Sequence, residues 1–114
     1  MAKTLNNLAS ANGDLGHARL MRDMLERALR IKEAHYGPDH VEVATPLHNL
    51  GNAHGALCDA RAQRDLLERA LSIKEAHFGP DHVEVAFTLG NLGHAHGALG
   101  DARKARELLE RGGL

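Results

Sequence analysis

Apolar residues recur at intervals of three and four along most of the chain. Leu89, Leu92 and Ala95 fall on one face of a helix, and Ala105 and Leu108 do the same further on. This spacing predicts amphipathic helices. Glycine and proline interrupt the pattern, because Gly tolerates the left-handed backbone that ends a helix and Pro cannot continue one. The sequence therefore predicts six helices, over residues 2–13, 17–35, 40–56, 59–77, 82–98 and 101–111.

The starts of these helices carry capping signals. Asp39 is followed three residues later by Glu42, and Asp81 in the same way by Glu84. An acidic cap with Glu three residues on is a capping box, which satisfies the free N–H groups of the first turn. Asp101 follows a glycine and is expected to cap the last helix. Short turns of this kind predict antiparallel helix pairs.

The chain repeats itself with a period of 42 residues. Residues 25–66 and 67–108 are identical at 32 of 42 positions, and residues 5–24 form an imperfect earlier copy. Such a period indicates a stack of helix hairpins, each burying its apolar face against the next. We expect one domain, 1–114, made of a partial repeat at 1–24 with 25–35, a repeat at 40–77 and a truncated repeat at 82–111.

Composition supports an all-α fold and argues against several classes of partner. Ala and Leu contribute 18 residues each, whereas Val and Ile together contribute six and Trp is absent. Strands favour β-branched and aromatic residues, and Ala and Leu favour helices. The net charge of −1 offers no field for nucleic acid or an anionic membrane. No apolar run could span a membrane and no signal-peptide core opens the chain, so we expect an intracellular, cytoplasmic protein.

A run of residues common to the repeats identifies a family. It reads Leu-x-Asn-Leu-Gly-x-Ala-x-Gly-x-x-Gly-Asp, then Glu-Arg-Ala-Leu-x-Ile and Gly-Pro-Asp-His. This pattern resembles tetratricopeptide repeats, in the 42-residue form of kinesin light chains, and covers essentially the whole chain. The resemblance implies an α-solenoid: antiparallel hairpins in a right-handed superhelix, whose first helices line a concave groove and whose second helices form the convex face. It also implies a protein–protein interaction scaffold, with a protein or peptide as partner.

The resemblance places side chains in that groove. Asn7, Asn49 and Asn91 are equivalent, and the resemblance implies that they grip the backbone of a peptide. The alternative is an Asn that is solvated or bonded between helices. Only one groove residue is cationic, so a carboxylate-binding clamp is not expected. The groove set is Lys3, Asn6, Asn7, Ser10, Thr45, His48, Asn49, Asn52, Phe87, Gly90, Asn91 and His94.

The second repeat departs from the family pattern at its internal turn. Cys58 stands where the other copies have glycine, and Gln63 stands where the family has a small residue that packs on Gly51 or Gly93. We expect Gln63 to force the hairpin apart or to lie poorly placed. One hypothesis is a continuous helix from residue 47 to 77 that lets two chains exchange hairpins. The alternative is a normal hairpin with Cys58 as a small buried hydrophobe.

Two further features bear on assembly. Pro46 either interrupts a helix that begins near His40 or occupies the favoured first position of a helix that begins at Thr45. Stacked repeats need polar end faces, and the last repeat offers Leu108 and Leu109 instead. We therefore expect a homo-oligomer, with Cys58, Gln63, Leu108 and Leu109 as hinge and self-association residues. A purely structural, self-assembling unit without a peptide ligand is the alternative function.

Nine histidines raise the question of metal binding. His94 and His96 lie two residues apart and face opposite sides of a helix, whereas His48 and His94 could approach each other across the groove. Duplication explains most of the surplus, and His54 and His96 stand where the family has an aromatic residue. Histidine-mediated metal binding is a third hypothesis behind structural roles. We expect no cofactor, no assigned metal ligand and no enzymatic activity, because no catalytic motif accompanies Cys58 or the histidines.

Overall fold

A computed structural model describes residues 15–113, and over that range the chain forms five helices. The predicted helix over 2–13 lies outside the described residues. The five remaining predictions are confirmed, with ends that differ by at most two residues. The helices are α1 (Leu15–Tyr36), α2 (Val41–Ala56), α3 (Ala60–Phe78), α4 (Val83–Ala98) and α5 (Ala102–Arg111).

Each helix packs against the next one along the chain, and the first helices α2 and α4 also touch. The second helices are joined by ion pairs across one repeat. The Arg69 guanidinium lies 2.9 Å from a carboxylate oxygen of Glu33, and that of Arg111 lies 2.7 Å from Glu75. These equivalent pairs connect α3 to α1 and α5 to α3. The result is the α-solenoid that the repeat predicts, with α2 and α4 on one side and α1, α3 and α5 on the other.

Leucine and valine from equivalent positions form the core. Val43 and Leu47 of α2 are fully buried. Their equivalents on α4 are Val85, which is fully buried, and Leu89, which is almost fully buried. The first pair belongs to a cluster between α1, α2 and α3, and the second to a cluster between α3, α4 and α5. Full burial of such a side chain contributes about 1.5–3 kcal/mol. The stack is therefore held by apolar contacts that recur from repeat to repeat.

The predicted capping boxes at the starts of α2 and α4 are wrong. His40 and His82 are the cap residues, and the Nδ1 atom of each imidazole accepts a hydrogen bond from the backbone N–H two residues later. The extended backbone that a cap requires belongs to His82, and Asp81 lies one residue before it. The preceding turn, with Gly79 at φ 90°, sets this register. Asp39 stands one residue before the cap in the same way.

The cap predicted at Asp101 is confirmed. Its carboxylate accepts a hydrogen bond from the backbone N–H of Lys104, and Asp59 accepts one from Ala62 at the start of α3. Both Asp residues follow the short turn inside a hairpin, where the residue before them has a positive φ. The two kinds of turn in each repeat therefore use different caps, His between hairpins and Asp within them.

The turn at Cys58 is closed in the single chain: the normal hairpin expected as the alternative is present, whereas the burial expected for Cys58 is wrong. Helix α2 ends at Ala56 and α3 begins at Ala60, so residues 47–77 do not form one helix. Cys58 has φ 63°, close to the φ of 86° at Gly100, and takes the left-handed conformation that glycine adopts in the equivalent turn. The cysteine is exposed and is therefore not a buried hydrophobe. Its position is set by the turn, which leaves the side chain on the surface.

Gln63 does not force its hairpin apart. A Cβ atom on Gly55 would lie 2.6 Å from Nε2 of Gln63, so the amide occupies the space that this glycine leaves open. In the next repeat Ala105 lies opposite Gly97 at an ordinary distance. The expected contact with Gly51 involves the backbone carbonyl of Gln63 rather than its side chain. A larger residue is therefore accommodated because its partner has no side chain.

The expectation that Leu108 and Leu109 form an open end surface is wrong, whereas the first of the two alternatives for Pro46 is confirmed. Leu108 is 4 % exposed and belongs to the second core cluster, while Leu109 packs on Gly93 of α4. Neither forms an open end surface, because α5 turns both towards α4. Pro46 lies inside α2, since that helix begins at Val41 and not at residue 45. The missing N–H of Pro46 removes one helical hydrogen bond from the second turn.

Candidate functional site

The predicted groove follows the two first helices of the described range. On α2, Thr45 and Asn52 are exposed while His48 and Asn49 are half-buried. On α4 the corresponding residues are Phe87 and His94, which are exposed, with Asn91 half-buried and Gly90 buried. The predicted groove residues Lys3, Asn6, Asn7 and Ser10 lie outside the described residues.

His48 is the centre of a polar cluster at the floor of the groove. Its Nε2 atom lies 2.9 Å from the side-chain nitrogen of Asn91, and its Nδ1 atom lies 3.1 Å from the hydroxyl of Thr88. Nδ1 also lies 3.4 Å from the ammonium nitrogen of Lys74 on α3. Thr88 in turn donates to the backbone carbonyl of Glu84. One imidazole therefore ties together helices α2, α3 and α4.

The surroundings of His48 keep its imidazole neutral. Burial and then the positive charge of Lys74 lower the pKa of His48 from 6.5 to about 4, while the carboxylate of Glu84 opposes the shift. A protonated imidazole would offer two N–H donors to neighbours that include an ammonium group, which cannot accept. The cluster therefore needs a neutral histidine, with one ring nitrogen as acceptor.

Lys74 belongs to this polar cluster, although the sequence analysis did not name it. It is 5 % exposed, and its ammonium nitrogen lies 3.8 Å from a carboxylate oxygen of Glu84. Burial lowers the pKa of Lys74, and Glu84 counteracts that shift. The equivalent pair, Lys32 and Glu42, is 3.6 Å apart and more exposed. The sequence does carry a signal for this ion pair, because both repeats have Lys and Glu ten residues apart across the turn between hairpins.

The cluster lies beside open space. A cleft of about 190 Å³ is lined by Thr45, His48, Asn49, Lys74, Glu84 and Phe87. A second cleft of about 290 Å³ shares Thr45, Lys74 and Glu84 with the first and extends towards α1 at Lys32. The floor of the groove thus presents hydroxyl, amide, ammonium and carboxylate groups next to one exposed aromatic ring. Its charges are balanced, with one Lys against one Glu in each repeat.

The equivalent asparagines Asn49 and Asn91 have different surroundings. Asn91 is bonded to His48, as the inter-helix alternative for these residues anticipated. Asn49 has no hydrogen-bond partner among the described residues and lines the smaller cleft. The residue that matches His48 one repeat earlier is Asn6, which lies outside the described range. Of the two, Asn49 is therefore the one whose amide is available to a ligand.

The other histidines have structural environments. His54 lies 3.8 Å from Glu26 of α1 and His96 lies 3.6 Å from Glu68 of α3, so each imidazole lies beside a carboxylate of the neighbouring hairpin where the family has an aromatic residue. The Nε2 atom of His96 is buried and makes no hydrogen bond to a described residue. His94 is exposed in the groove while His96 is half-buried on another side of α4. Within residues 15–113, no group of three or more His, Cys, Asp or Glu side chains is placed to hold a metal ion. None of the helices in that range is long and apolar enough to cross a membrane.

Comparison with known proteins identifies the repeat. A tetratricopeptide repeat family model matches residues 1–76 and again 64–112. No curated protein sequence matches the chain.

Among solved structures, the kinesin light chain TPR-like repeats of Podosopora anserina superpose with a TM-score of 0.82 at 23 % identity, over 96 % of this chain and 52 % of that one. BtubC (BKLC) from P. vanneervenii superposes with a TM-score of 0.79 at 27 % identity, over 97 % and 44 % of the two chains. The chain thus spans about half the length of the structures it matches. The period of 42 residues and the alternating helices agree with these matches. Because the family model matches nearly the full length, the chain belongs to the tetratricopeptide repeat family and is similar to its kinesin-light-chain type.

Proposed function

We propose that this chain is an interaction module that binds an extended segment of a partner protein in the groove along α2 and α4. Tetratricopeptide repeats are protein-interaction scaffolds, and the groove is the surface where polar side chains and open clefts coincide. The observation that carries the proposal is Asn49. Its amide has no partner among the described residues and lines a cleft between α2 and α4, and an amide carries the donors and acceptor that a peptide backbone needs.

The surroundings of Asn49 fit an extended peptide of low net charge. Thr45 adds a hydroxyl on the same helix, and the exposed ring of Phe87 offers apolar contact across the cleft. Lys74 and Glu84 balance each other, so a strongly charged segment gains no net attraction there. His48 and Asn91 hold α2 and α4 together beneath the cleft, so the groove is already formed before a ligand arrives. We assign no catalytic step to these residues.

The experiment uses peptides selected from a random displayed library against the whole chain. Calorimetry then compares a selected peptide with the wild type, Asn49→Ala and Arg61→Ala, the last being an exposed control on α3. We expect Asn49→Ala to weaken binding about tenfold, because one or two hydrogen bonds of about 1 kcal/mol each are lost. Arg61→Ala should bind as the wild type does. Unchanged affinity in Asn49→Ala would remove the proposal.

A second candidate function is self-assembly by hairpin exchange, and the turn at Cys58 favours it. A non-glycine residue with φ 63° is strained by about 1–2 kcal/mol, and opening the turn would release that strain. No proline lies between residues 47 and 77 to prevent a longer helix. We propose that two chains exchange α3 and the helices after it in this way. Sedimentation of wild type and Cys58→Gly tests it, since the glycine variant should form fewer exchanged dimers.

Other features of the organisation remain predictions. We propose that residues 1–114 form one continuous stack, with the repeats divided at 1–35, 40–77 and 82–111. The cytoplasmic location is an expectation from the sequence. Limited proteolysis of the whole chain tests the first point, because a single stack should be cut at its ends before the turns between hairpins.

A further inference from the structure

The hydrogen bonds around His48 determine which of its ring nitrogens carries the proton. The side-chain nitrogen of Asn91 can only donate, so Nε2 of His48, 2.9 Å away, is the acceptor. A neutral imidazole that accepts at Nε2 carries its proton on Nδ1. That N–H donates to the hydroxyl of Thr88, 3.1 Å away, and the hydroxyl donates to the backbone carbonyl of Glu84. Nδ1 is therefore a donor and cannot accept from a second neighbour.

This arrangement leaves the ammonium group of Lys74 without an acceptor among the described residues. The ammonium nitrogen lies 3.4 Å from Nδ1 of His48, which cannot accept, and 3.8 Å from the Glu84 carboxylate, which is beyond hydrogen-bond distance. Lys74 is only 5 % exposed, and a buried ammonium group without hydrogen bonds is costly. Acceptors for its N–H groups must therefore come from water or from a ligand.

The two clefts that Lys74 lines are internal to the stack. Lys74, Thr45 and Glu84 line both the cleft of about 190 Å³ and the cleft of about 290 Å³, which have α2 on one side and α4 on the other. A water molecule takes about 30 Å³, so the smaller cleft has room for a small side chain. The side chain of the equivalent Lys32 is 41 % exposed, so water solvates it. Lys74 is therefore the lysine whose missing acceptor a ligand can supply.

The charges at these clefts favour an uncharged group that both accepts and donates hydrogen bonds. Lys74 and Glu84 already neutralise each other, so an entering carboxylate is repelled by Glu84 and an entering ammonium group by Lys74. A primary carboxamide has a carbonyl acceptor and N–H donors. Its oxygen can accept from the Lys74 ammonium while its nitrogen donates to the Glu84 carboxylate. The 3.8 Å between these two groups is too long for a direct hydrogen bond and short enough for one amide to bridge.

We propose that the floor of the groove is a recognition site for the side-chain carboxamide of an Asn or Gln residue in the bound segment. The site rests on the proposed function, because the bound segment supplies this side chain, and it specifies which class of residue the groove selects. Asn49 lines the same smaller cleft and bonds to the backbone of the segment. Lys74 is buried at the floor of that cleft, where a side chain can reach it.

Nuclear magnetic resonance of the labelled whole chain tests the site with blocked amino acids, the N-acetyl N-methylamides of Asn, Gln, Asp and Ala. We expect blocked Asn and Gln to shift the ε-methylene signal of Lys74 and the carboxyl signal of Glu84. Blocked Asp and Ala should leave both signals in place at the same concentration. Lys74→Met should abolish the shift at Glu84. Lys32→Met is the matched control, because Lys32 forms the equivalent pair with Glu42, and it should leave both shifts unchanged.

Glu84→Gln tests the role of charge while Lys74 is kept. The variant leaves the ammonium group uncompensated, so blocked Asp should now shift the Lys74 signal more strongly than blocked Asn does. Circular dichroism should show each variant folded, and Glu84→Gln decides the matter if Lys74→Met is unfolded. In calorimetry, replacing the Asn or Gln of a selected peptide by Ala should weaken binding to the wild type at least about tenfold, and much less to Lys74→Met.

Several results would overturn the site. Blocked Asn and Gln that shift neither signal would do so, as would blocked Asp that shifts Lys74 of the wild type just as strongly. A nitrogen spectrum with the His48 proton on Nε2 would also do so, because Nδ1 could then accept from Lys74. Selected peptides that need Asn49 and yet bind Lys74→Met unchanged would refute the carboxamide site and leave the groove proposal intact. Peptides that bind independently of Asn49, together with shifts at Lys74 from blocked Asn, would refute the groove proposal alone.

Discussion

The imidazole of His48 owes its chemistry to residues that are distant in sequence. Lys74 from α3 and Thr88 and Asn91 from α4 surround it. The repeat register predicts which face of α2 carries His48, because that depends only on position along the helix. Its neutral state and its bond to Asn91 could not be predicted, since they depend on which side chains reach across from two other helices. The same applies to Lys74, whose burial requires the packing of α3 against α4.

His48 makes stability depend on pH. Its pKa is lowered to about 4 in the folded chain, against 6.5 for an unperturbed histidine. The unfolded chain therefore binds more protons between these values, so the contribution of His48 is complete above pH 6.5 and is lost as the pH falls towards 4. The full shift corresponds to about 3 kcal/mol, which solvent exposure of the half-buried ring reduces to about 1–2 kcal/mol.

Urea unfolding at pH 7 and pH 4 measures this loss. Other groups titrate in the same range, so the comparison is with His48→Asn, which introduces the residue found at the matching position 6. We expect the wild type to lose about 1–2 kcal/mol more than this variant on acidification. Equal losses in both proteins would show that His48 is free to take up a proton when folded.

The helices show which local signals can be read from sequence. Their ends were predicted to within two residues because Gly79, Gly100 and Pro80 interrupt a regular apolar period. The caps of α2 and α4 were misassigned, because Asp81 and His82 are adjacent and both can accept a hydrogen bond. Only the geometry of the turn decides which of them has the extended backbone of a cap.

The cap on α4 yields a prediction about stability. His82→Ala removes the acceptor for the N–H of Glu84 and should cost about 1 kcal/mol. His82→Asn keeps a good cap and should retain most of that stability, although it loses the stacking of the imidazole on Phe78. Thermal and urea unfolding measure both variants, with Asp81→Ala as the control. A larger loss in Asp81→Ala than in His82→Ala would restore the aspartate as the cap.

The turn between α2 and α3 yields another prediction about stability. Cys58→Gly introduces a glycine at φ 63°, as the equivalent turn has at Gly100. It should stabilise the chain by about 1 kcal/mol, because glycine takes this backbone conformation without strain. Gly100→Ala, where φ is 86°, is the matched control and should destabilise it by a similar amount. Guanidinium unfolding at low protein concentration measures the monomer alone. If Cys58→Gly were less stable than the wild type, strain at this turn could not drive hairpin exchange.

On the scale of the whole molecule, duplication explains both what was predictable and what was not. Equivalent Leu and Val residues fill two similar core clusters, so the stacking of hairpins followed from the period alone. Leu108 and Leu109 were expected at an open end, yet the turn before α5 folds them onto α4. The exposed apolar surface near this end is formed by Val83 and Phe87 instead.

The groove proposal concerns the molecule as a whole, because the site exists only where two repeats meet. Its most direct test is a nuclear magnetic resonance titration of the isotopically labelled chain with a peptide selected against it. The account predicts that shifted backbone and side-chain amides concentrate on the groove face of α2 and α4, with the Asn49 side chain among the most strongly affected. Shifts confined to α3 and α5, or an unaffected Asn49 amide at saturation, would contradict it.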